Sequence, residues 1–193
     1  MGRDAVRARS RRAVFLDRDG VLNHAMVKDG KPYPPARLAD LKIVPDAPMT
    51  LHALRGAGFL LVVVTNQPDV ARGVASRDTV ENIHSVLRAA LPLDDIFVCF
   101  HDDMDACGCR KPRPGLLHEA AEKYDIDLRA SYLIGDRWRD IEAGARAGCR
   151  TVLIDYGYRE KGPTESPSAR VLSLREAAEW ILNQTESQTG SRT

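Results

Sequence analysis

Apolar positions along the chain follow two alternating rhythms. Short runs rich in β-branched residues at 13–17, 59–65, 96–100, 132–135 and 150–154 predict strands. The run at 59–65 has no polar interruption before Thr65, the pattern of a strand buried on both faces. Between these runs the spacing lengthens to three and four. Val80, Ile83, Leu87 and Leu91 share one face of a helix over 77–91. Leu116, Leu117, Ala120, Ala121 and Tyr124 do so after Pro114, and Leu174, Ala177, Ala178, Ile181 and Leu182 on a last helix. Gly58 stops a further helix over 47–57.

Alternation of strand and helix predicts an α/β fold, a Rossmann-like three-layer sandwich with a mainly parallel sheet. Ligands then collect at the carboxyl ends of the strands. The Pro-rich stretches 31–37 and 161–168 read as surface loops. No insertion is long enough for a large cap domain, so any cover over a site must be a small loop.

Composition narrows this picture modestly. A chain of 193 residues with 44% hydrophobic and 28% charged residues suits one globular domain, placed at 13–183. Residues 1–12 read as a basic flexible leader and 184–193 as a disordered polar tail. A net charge of +1 gives no reason to expect nucleic acid as a partner. No apolar run nears the roughly 20 residues that span a bilayer, and the leader lacks a secretory apolar stretch, so the expected compartment is the cytoplasm. No helix shows an excess apolar face, so the pattern does not fix the oligomeric state; a monomer is the working expectation.

Three polar clusters fall at predicted strand tips. In Asp17-Arg18-Asp19-Gly20, residues i and i+2 of extended chain point the same way, so both carboxylates can face one pocket. Two such charges need a cation, and hard oxygen ligands suit Mg²⁺; an ordinary Asp-Gly turn is the plain alternative. Thr65-Asn66-Gln67 offers a hydroxyl and backbone N–H groups to a phosphoryl oxygen, or simply starts a turn. Gly135-Asp136-Arg137-Trp138-Arg139-Asp140 places Asp136 either in that site or as the cap of a helix whose Trp138 and Ile141 pack inward. Three carboxylates with a phosphate exceed what Mg²⁺ alone balances, and Lys111, after the remaining middle strand, is the candidate fixed cation.

Cys99, His101, Cys107 and Cys109 supply four soft or borderline ligands within eleven residues. That set suits a closed structural Zn²⁺ site, the alternative being one buried thiol and two surface ones. Cys149, before a strand, reads as an inert core thiol.

Phe-Leu-Asp-Arg-Asp-Gly-Val-Leu-Asn, Val-Val-Val-Thr-Asn-Gln, Cys-x-Cys-Arg-Lys-Pro-x-Pro-Gly and Gly-Asp-x-x-x-Asp-Ile-x-Ala-Gly occur in this order over residues 13–183. In these the chain resembles the haloacid dehalogenase superfamily, and within it the zinc-loop branch of sugar-phosphate and histidinol-phosphate phosphatases. The resemblance implies Asp17 as nucleophile and Mg²⁺ ligand, and Asp19 as general acid and base whose backbone carbonyl reaches the metal. Negative neighbours would keep Asp19 protonated at the start. The resemblance further implies Thr65 and Lys111 as holders of the phosphoryl group, Asp136 as the remaining Mg²⁺ ligand, and the Cys-His cluster as structural Zn²⁺ ligands. Because Cys109 adjoins Arg110 and Lys111, a closed metal site is expected to fix where those two cations point. Arg110 looks like the substrate-recognition arginine, with Lys28 and Asn66 as further substrate contacts.

The implied reaction is phosphomonoester hydrolysis through an aspartyl-phosphate. The implied substrate is a small phosphorylated sugar such as heptose 1,7-bisphosphate, with histidinol phosphate as the in-class rival and a nucleic-acid 3′-phosphate as a remote one. A non-catalytic zinc-containing interaction module is the alternative of another class. Two departures bear on substrate: Pro68-Asp69 stands where the heptose phosphatases have Ser-Gly, and the 24–30 loop lacks their Asp-His-Gly-Tyr-Val pattern.

Overall fold

The computed structural model describes residues 10–189, of which the side chains are described to 185. Six strands form one sheet: β1 (Arg12–Leu16), β4 (Phe59–Asn66), β5 (Asp95–Cys99), β6 (Tyr132–Gly135), β7 (Arg150–Ile154) and β8 (Ala169–Val171). Their order is β5-β4-β1-β6-β7-β8, and every pairing is parallel. A separate hairpin joins β2 (Met26–Lys28) to β3 (Lys31–Tyr33).

Alternation along β1 explains the three layers. Val14 and Leu16 point to the face covered by α1 (Ala47–Gly56), α2 (Arg77–Ala90) and α5 (Leu174–Thr189), where they meet Leu51, Leu54, Ile83, Leu87 and Ile181. Ala13 and Phe15 point to the other face, against Leu116, Leu117 and Ala120 of α3 (Gly115–Tyr124) and Ala143 of α4 (Trp138–Ala147). In β4 the side chains from Phe59 to Thr65 are all buried, as an uninterrupted apolar run requires of a central parallel strand. Helix α1 ends on Gly58 at φ +86°, and α2 starts on Ser76, whose hydroxyl accepts from the Thr79 N–H.

Several expectations change. The stretch 24–37 is not simply loop: Asp29 and Gly30, both at positive φ, make a two-residue turn between β2 and β3. The predicted tail at 184–193 is helical as far as Thr189, since α5 continues past its apolar face, and residues 190–193 lie outside the described part. Arg12 opens β1 and Arg11 bridges to Ile126, so the predicted leader is shorter at its carboxyl end; residues 1–9 lie outside the described part. Among the described residues no helix is long and apolar enough to cross a membrane.

Candidate active site

Adjacent strands β4, β1 and β6 end at one edge of the sheet, and their tips carry Thr65, Asp17 and Asp136. The carboxylates of Asp17, Asp136 and Asp140 converge, with ligand atoms within 4.8 Å of one another and all three residues buried. Two glycines permit this approach. Gly20 adopts φ +87°, and a Cβ there would overlap the Asp136 carboxylate; a Cβ on Gly135 would overlap Asp140.

Lys111 closes the group. Its Nζ lies 2.9 Å from Asp17 Oδ1 and 2.6 Å from Asp140 Oδ1, and donates to the Val64 carbonyl at 2.7 Å. Burial opposes its charge, but Asp140 and Asp17 outweigh burial and hold the amine above its ordinary range. Asn66 braces this lysine, its amide accepting from the Lys111 N–H and donating to the Lys111 carbonyl, both at 3.0 Å. One lysine against three buried carboxylates leaves the site short of positive charge. Burial, reinforced by Asp140 and Asp19 and opposed by Lys111, pushes Asp17 up to about 6. Burial and then the charges of Asp17 and Asp140 raise Asp136 well above the carboxylate range, against a smaller lowering by the Tyr158 hydroxyl. Buried, hard oxygens with no close donor fit a divalent cation such as Mg²⁺.

Asp19 lies outside that group of carboxylates. It accepts from Arg18 Nε (3.1 Å to each oxygen), Asn23 Nδ2 (3.0 Å) and Gln67 Nε2 (2.9 Å). Its hydrogen-bond partners are thus donors, while the Asp17 carboxylate stays near enough for the two charges to interact, as expected from sequence. Gln67 also donates to Thr65 Oγ1 at 2.9 Å, which leaves the Thr65 hydroxyl proton to reach a ligand. Arg18 is fully buried and meets His84 Nε2 through Nη1 at 3.2 Å.

A guanidinium has no acceptor, so His84 Nε2 must be the lone-pair nitrogen. Burial, then the charges of Arg18 and Arg88, push His84 down to about 4 from 6.5. As pH falls from 6.5 to 4, the unfolded chain takes up this proton before the native protein does. Stability present above the upper value is thereby lost toward the lower one, on the order of 3 kcal/mol. Thermal melts at stepped pH should show a shallower acid limb for His84→Gln than for the parent. Parallel curves would mean that this histidine titrates normally.

The cleft above these groups has a volume of 190 Å³ and is walled by the hairpin residues Lys31 and Tyr33, by Asp69 and Arg72, and by Arg110. Lys28, expected at the substrate, is exposed on β2 and does not line the cleft; Lys31 across the turn does. Asn66 lines it too, though its amide is committed to the Lys111 backbone. Most cations here are already paired: Arg72 with Asp102, Arg137 with Glu160 and Arg139 with Asp103. Arg110 donates through Nε to Asp103 at 2.9 Å, while its buried Nη1 has no partner.

Beside the cleft, Cys99, His101, Cys107 and Cys109 gather with contacts of 3.1–3.7 Å. Four ligands about 2.0–2.3 Å from a tetrahedral ion would have edges of much this length, so the donor set is compatible with zinc. Cys109 joins directly to Arg110 and Lys111, which ties the loop to the cleft.

Sequence reasoning placed Asp17, Thr65, Lys111 and Asp136 at one edge and missed others. Asp140 was legible as a carboxylate four residues after Asp136, and its Oδ2 accepts from the Arg137 N–H. Arg137, not Asp136, is therefore the N-cap residue of α4, and Trp138 is half-exposed under Lys161 rather than packed inward. His84 stood out as a polar residue on the apolar stripe of α2.

A family model described as HAD-hydrolase-like matches residues 108–177. The chain is 36% identical over 156 residues to D-glycero-beta-D-manno-heptose-1,7-bisphosphate 7-phosphatase of Bordetella bronchiseptica, covering 77% of this chain and 83% of that one. The chain belongs to the haloacid dehalogenase-like hydrolases. The Escherichia coli heptose bisphosphate phosphatase is 32% identical over 190 residues, 91% of each chain. Among solved structures, the D,D-heptose 1,7-bisphosphate phosphatase of B. bronchiseptica, complexed with magnesium and phosphate, aligns with a TM-score of 0.73 at 30% identity, covering 90% of this chain and 99% of that one. The haloacid dehalogenase-like sheet of this chain thus has a relative whose structure was solved in complex with magnesium and phosphate.

Proposed function

We propose that this hydrolase is a Mg²⁺-dependent phosphomonoesterase acting through an aspartyl-phosphate, with heptose 1,7-bisphosphate as its substrate and the 7-phosphate as the group removed. The observation that carries this reading is Asp17, held at a strand tip by Lys111 beside two further buried carboxylates. Asp17, Asp136 and Asp140, with the Asp19 carbonyl, would hold Mg²⁺, which when bound offsets charge on phosphoryl oxygens. Zn²⁺ would occupy Cys99, His101, Cys107 and Cys109 as a structural ion.

The chain's own groups divide the chemistry. Lys111 Nζ and the Thr65 hydroxyl hold the phosphoryl oxygens. A carboxylate oxygen of Asp17 bonds to phosphorus as the bond to the sugar oxygen breaks, and Asp19 delivers a proton to that oxygen. Asp19 then takes a proton from water, whose oxygen displaces Asp17 from phosphorus.

The buried Nη1 of Arg110 and the unpaired ammonium of Lys31 support recognition of a second anionic group. Arg110→Ala is expected to raise KM for heptose 1,7-bisphosphate by about 10- to 100-fold, the worth of one charged hydrogen bond. Lys31→Ala should raise it less, because that side chain is exposed. Neither should affect heptose 7-phosphate as much. A phosphate-release panel over both sugars and histidinol phosphate, with and without Mg²⁺, tests the reading. Faster turnover of histidinol phosphate, or release independent of Mg²⁺, would defeat it.

A further inference from the structure

The proposed chemistry leaves Arg18 and His84 unused, yet they are among the most deeply buried polar groups in the protein, each at 0% exposure. A fully buried guanidinium is costly unless each of its edges is met. Arg18 meets that demand in three directions. Nε and Nη2 face Asp19, with Nη2 2.9 Å from Oδ2; Nη2 also donates to Gln67 Oε1 at 3.0 Å; Nη1 donates to His84 Nε2 at 3.2 Å.

Gln67 is itself fixed, through its backbone N–H on the Cys99 carbonyl and its side-chain amide on Asp19 and Thr65. The imidazole is the one anchor supplied by a helix outside the strand-tip loops, since His84 sits on α2 between Val80, Ile83 and Leu87. The other faces of Asp19 are held by Asn23 and Gln67, so partners on several sides fix where the carboxylate points. A fixed pose suits the step in which Asp19 must receive a proton.

We propose that His84, acting through Arg18, holds the Asp19 carboxylate in position to accept the proton of the water that hydrolyses the aspartyl-phosphate, and is therefore a positioning residue. This rests on the acid–base reading of Asp19 given above. In that step the water oxygen bonds to phosphorus, its proton passes to an Asp19 oxygen, and the phosphorus–oxygen bond to Asp17 breaks with the electron pair returning to the Asp17 carboxylate. Without an acceptor at position 84, Arg18 Nη1 faces apolar side chains. The guanidinium then turns toward other acceptors and carries Asp19 with it.

The test uses 4-nitrophenyl phosphate, whose leaving group needs no proton, so that the first step is insulated from Asp19. In the zinc- and magnesium-replete enzyme, His84→Leu is expected to lower kcat by about 10- to 100-fold while kcat/KM stays within about threefold, because general base catalysis is lost only from the second step. Acid-quenched phosphoenzyme should rise correspondingly. His84→Gln, whose amide oxygen can accept from Nη1, should recover most of kcat and return phosphoenzyme to the parental level. Parental kcat and phosphoenzyme in His84→Leu would overturn the proposal. So would equal losses of kcat, kcat/KM and melting midpoint that Gln does not restore, since that pattern describes a merely structural residue. Asp19→Asn runs beside them: if it accumulates no phosphoenzyme, the acid–base reading of Asp19 has failed. If it does and His84→Leu does not, only the relay has failed.

Discussion

Asp17→Asn is expected to lower phosphate release by about 10⁴-fold or more, the scale of removing a nucleophile, while leaving the fold intact. The amide is nearly isosteric with the carboxylate, and Lys111 keeps its contacts with Asp140 and the Val64 carbonyl. The metal-free protein should melt at the same temperature or higher. Burial pushes the Asp17 carboxyl up to about 6, so near neutral pH its charge is held in the native state at a cost to stability. That cost falls away when pH drops below this value, and Asn removes it at every pH. Opposite movements of activity and melting temperature would mark a site organised for chemistry at the expense of stability. Phosphate release near the parental rate would end the assignment of Asp17 as nucleophile. Loss of activity with a collapsed melting transition would assign it a structural role instead.

Lys111→Met should do the reverse in stability and the same in activity. The ammonium is 2% exposed and stands between two carboxylates. Removing one partner of a buried ionic group costs about 3–5 kcal/mol, on the order of 10 °C in melting temperature for a chain of this length. Turnover should fall about 10²- to 10³-fold, because the preorganised cation that would meet the phosphoryl oxygens is gone. Added Mg²⁺ should raise the melting temperature of Lys111→Met more than that of the parent, since an ion that binds only the native state acts by mass action and finds an uncompensated carboxylate group. Lys111→Arg is not expected to substitute, as a planar fork cannot occupy the point between Asp17, Asp140 and a carbonyl. A melting temperature and turnover close to parental in Lys111→Met would show that these carboxylates are balanced by another group.

These two residues illustrate how far local pattern reaches. Asp17 was legible because a strand buried on both faces ends in Asp-x-Asp-Gly, and backbone geometry alone aims the first carboxylate past the sheet edge. Lys111 was legible only by elimination, as the cation after the strand that follows β4 in sequence; that strand, β5, is not a middle strand as expected but the edge of the sheet. Its contacts depend on Asn66, 45 residues away, bracing its backbone. Asp140 was passed over because a carboxylate in the first turn of a helix has an ordinary local explanation, a partner for the N-terminal N–H groups, and it does serve Arg137 in that way. Its other oxygen turns to Lys111, which no local pattern signals.

Lys28 and Lys31 show the same limit at shorter range. They face each other across the Asp29–Gly30 turn, so composition treats them alike, and only the placement of the hairpin over the cleft separates them. Asp19 was assigned negative neighbours because Asp17 is two residues away. In the folded protein Asp17 and Asp19 do feel each other's charge. What the local pattern did not signal is the set of donors, Arg18, Asn23 and Gln67, which the turn after β1 and the tip of β4 bring round Asp19.

From sequence alone the periodicity of apolar residues determined the layers, and strand-end chemistry determined the edge at which the site forms. Both follow from interactions that repeat every two or three to four residues, which a linear pattern records. Tertiary structure decided the partners: Asp140 rather than Asp19 among the buried carboxylates, Lys31 rather than Lys28 at the cleft, and His84 behind Arg18. Each choice balances a buried charge or an unmet donor against groups brought from distant segments, and burial is a property of the folded chain that no single segment carries.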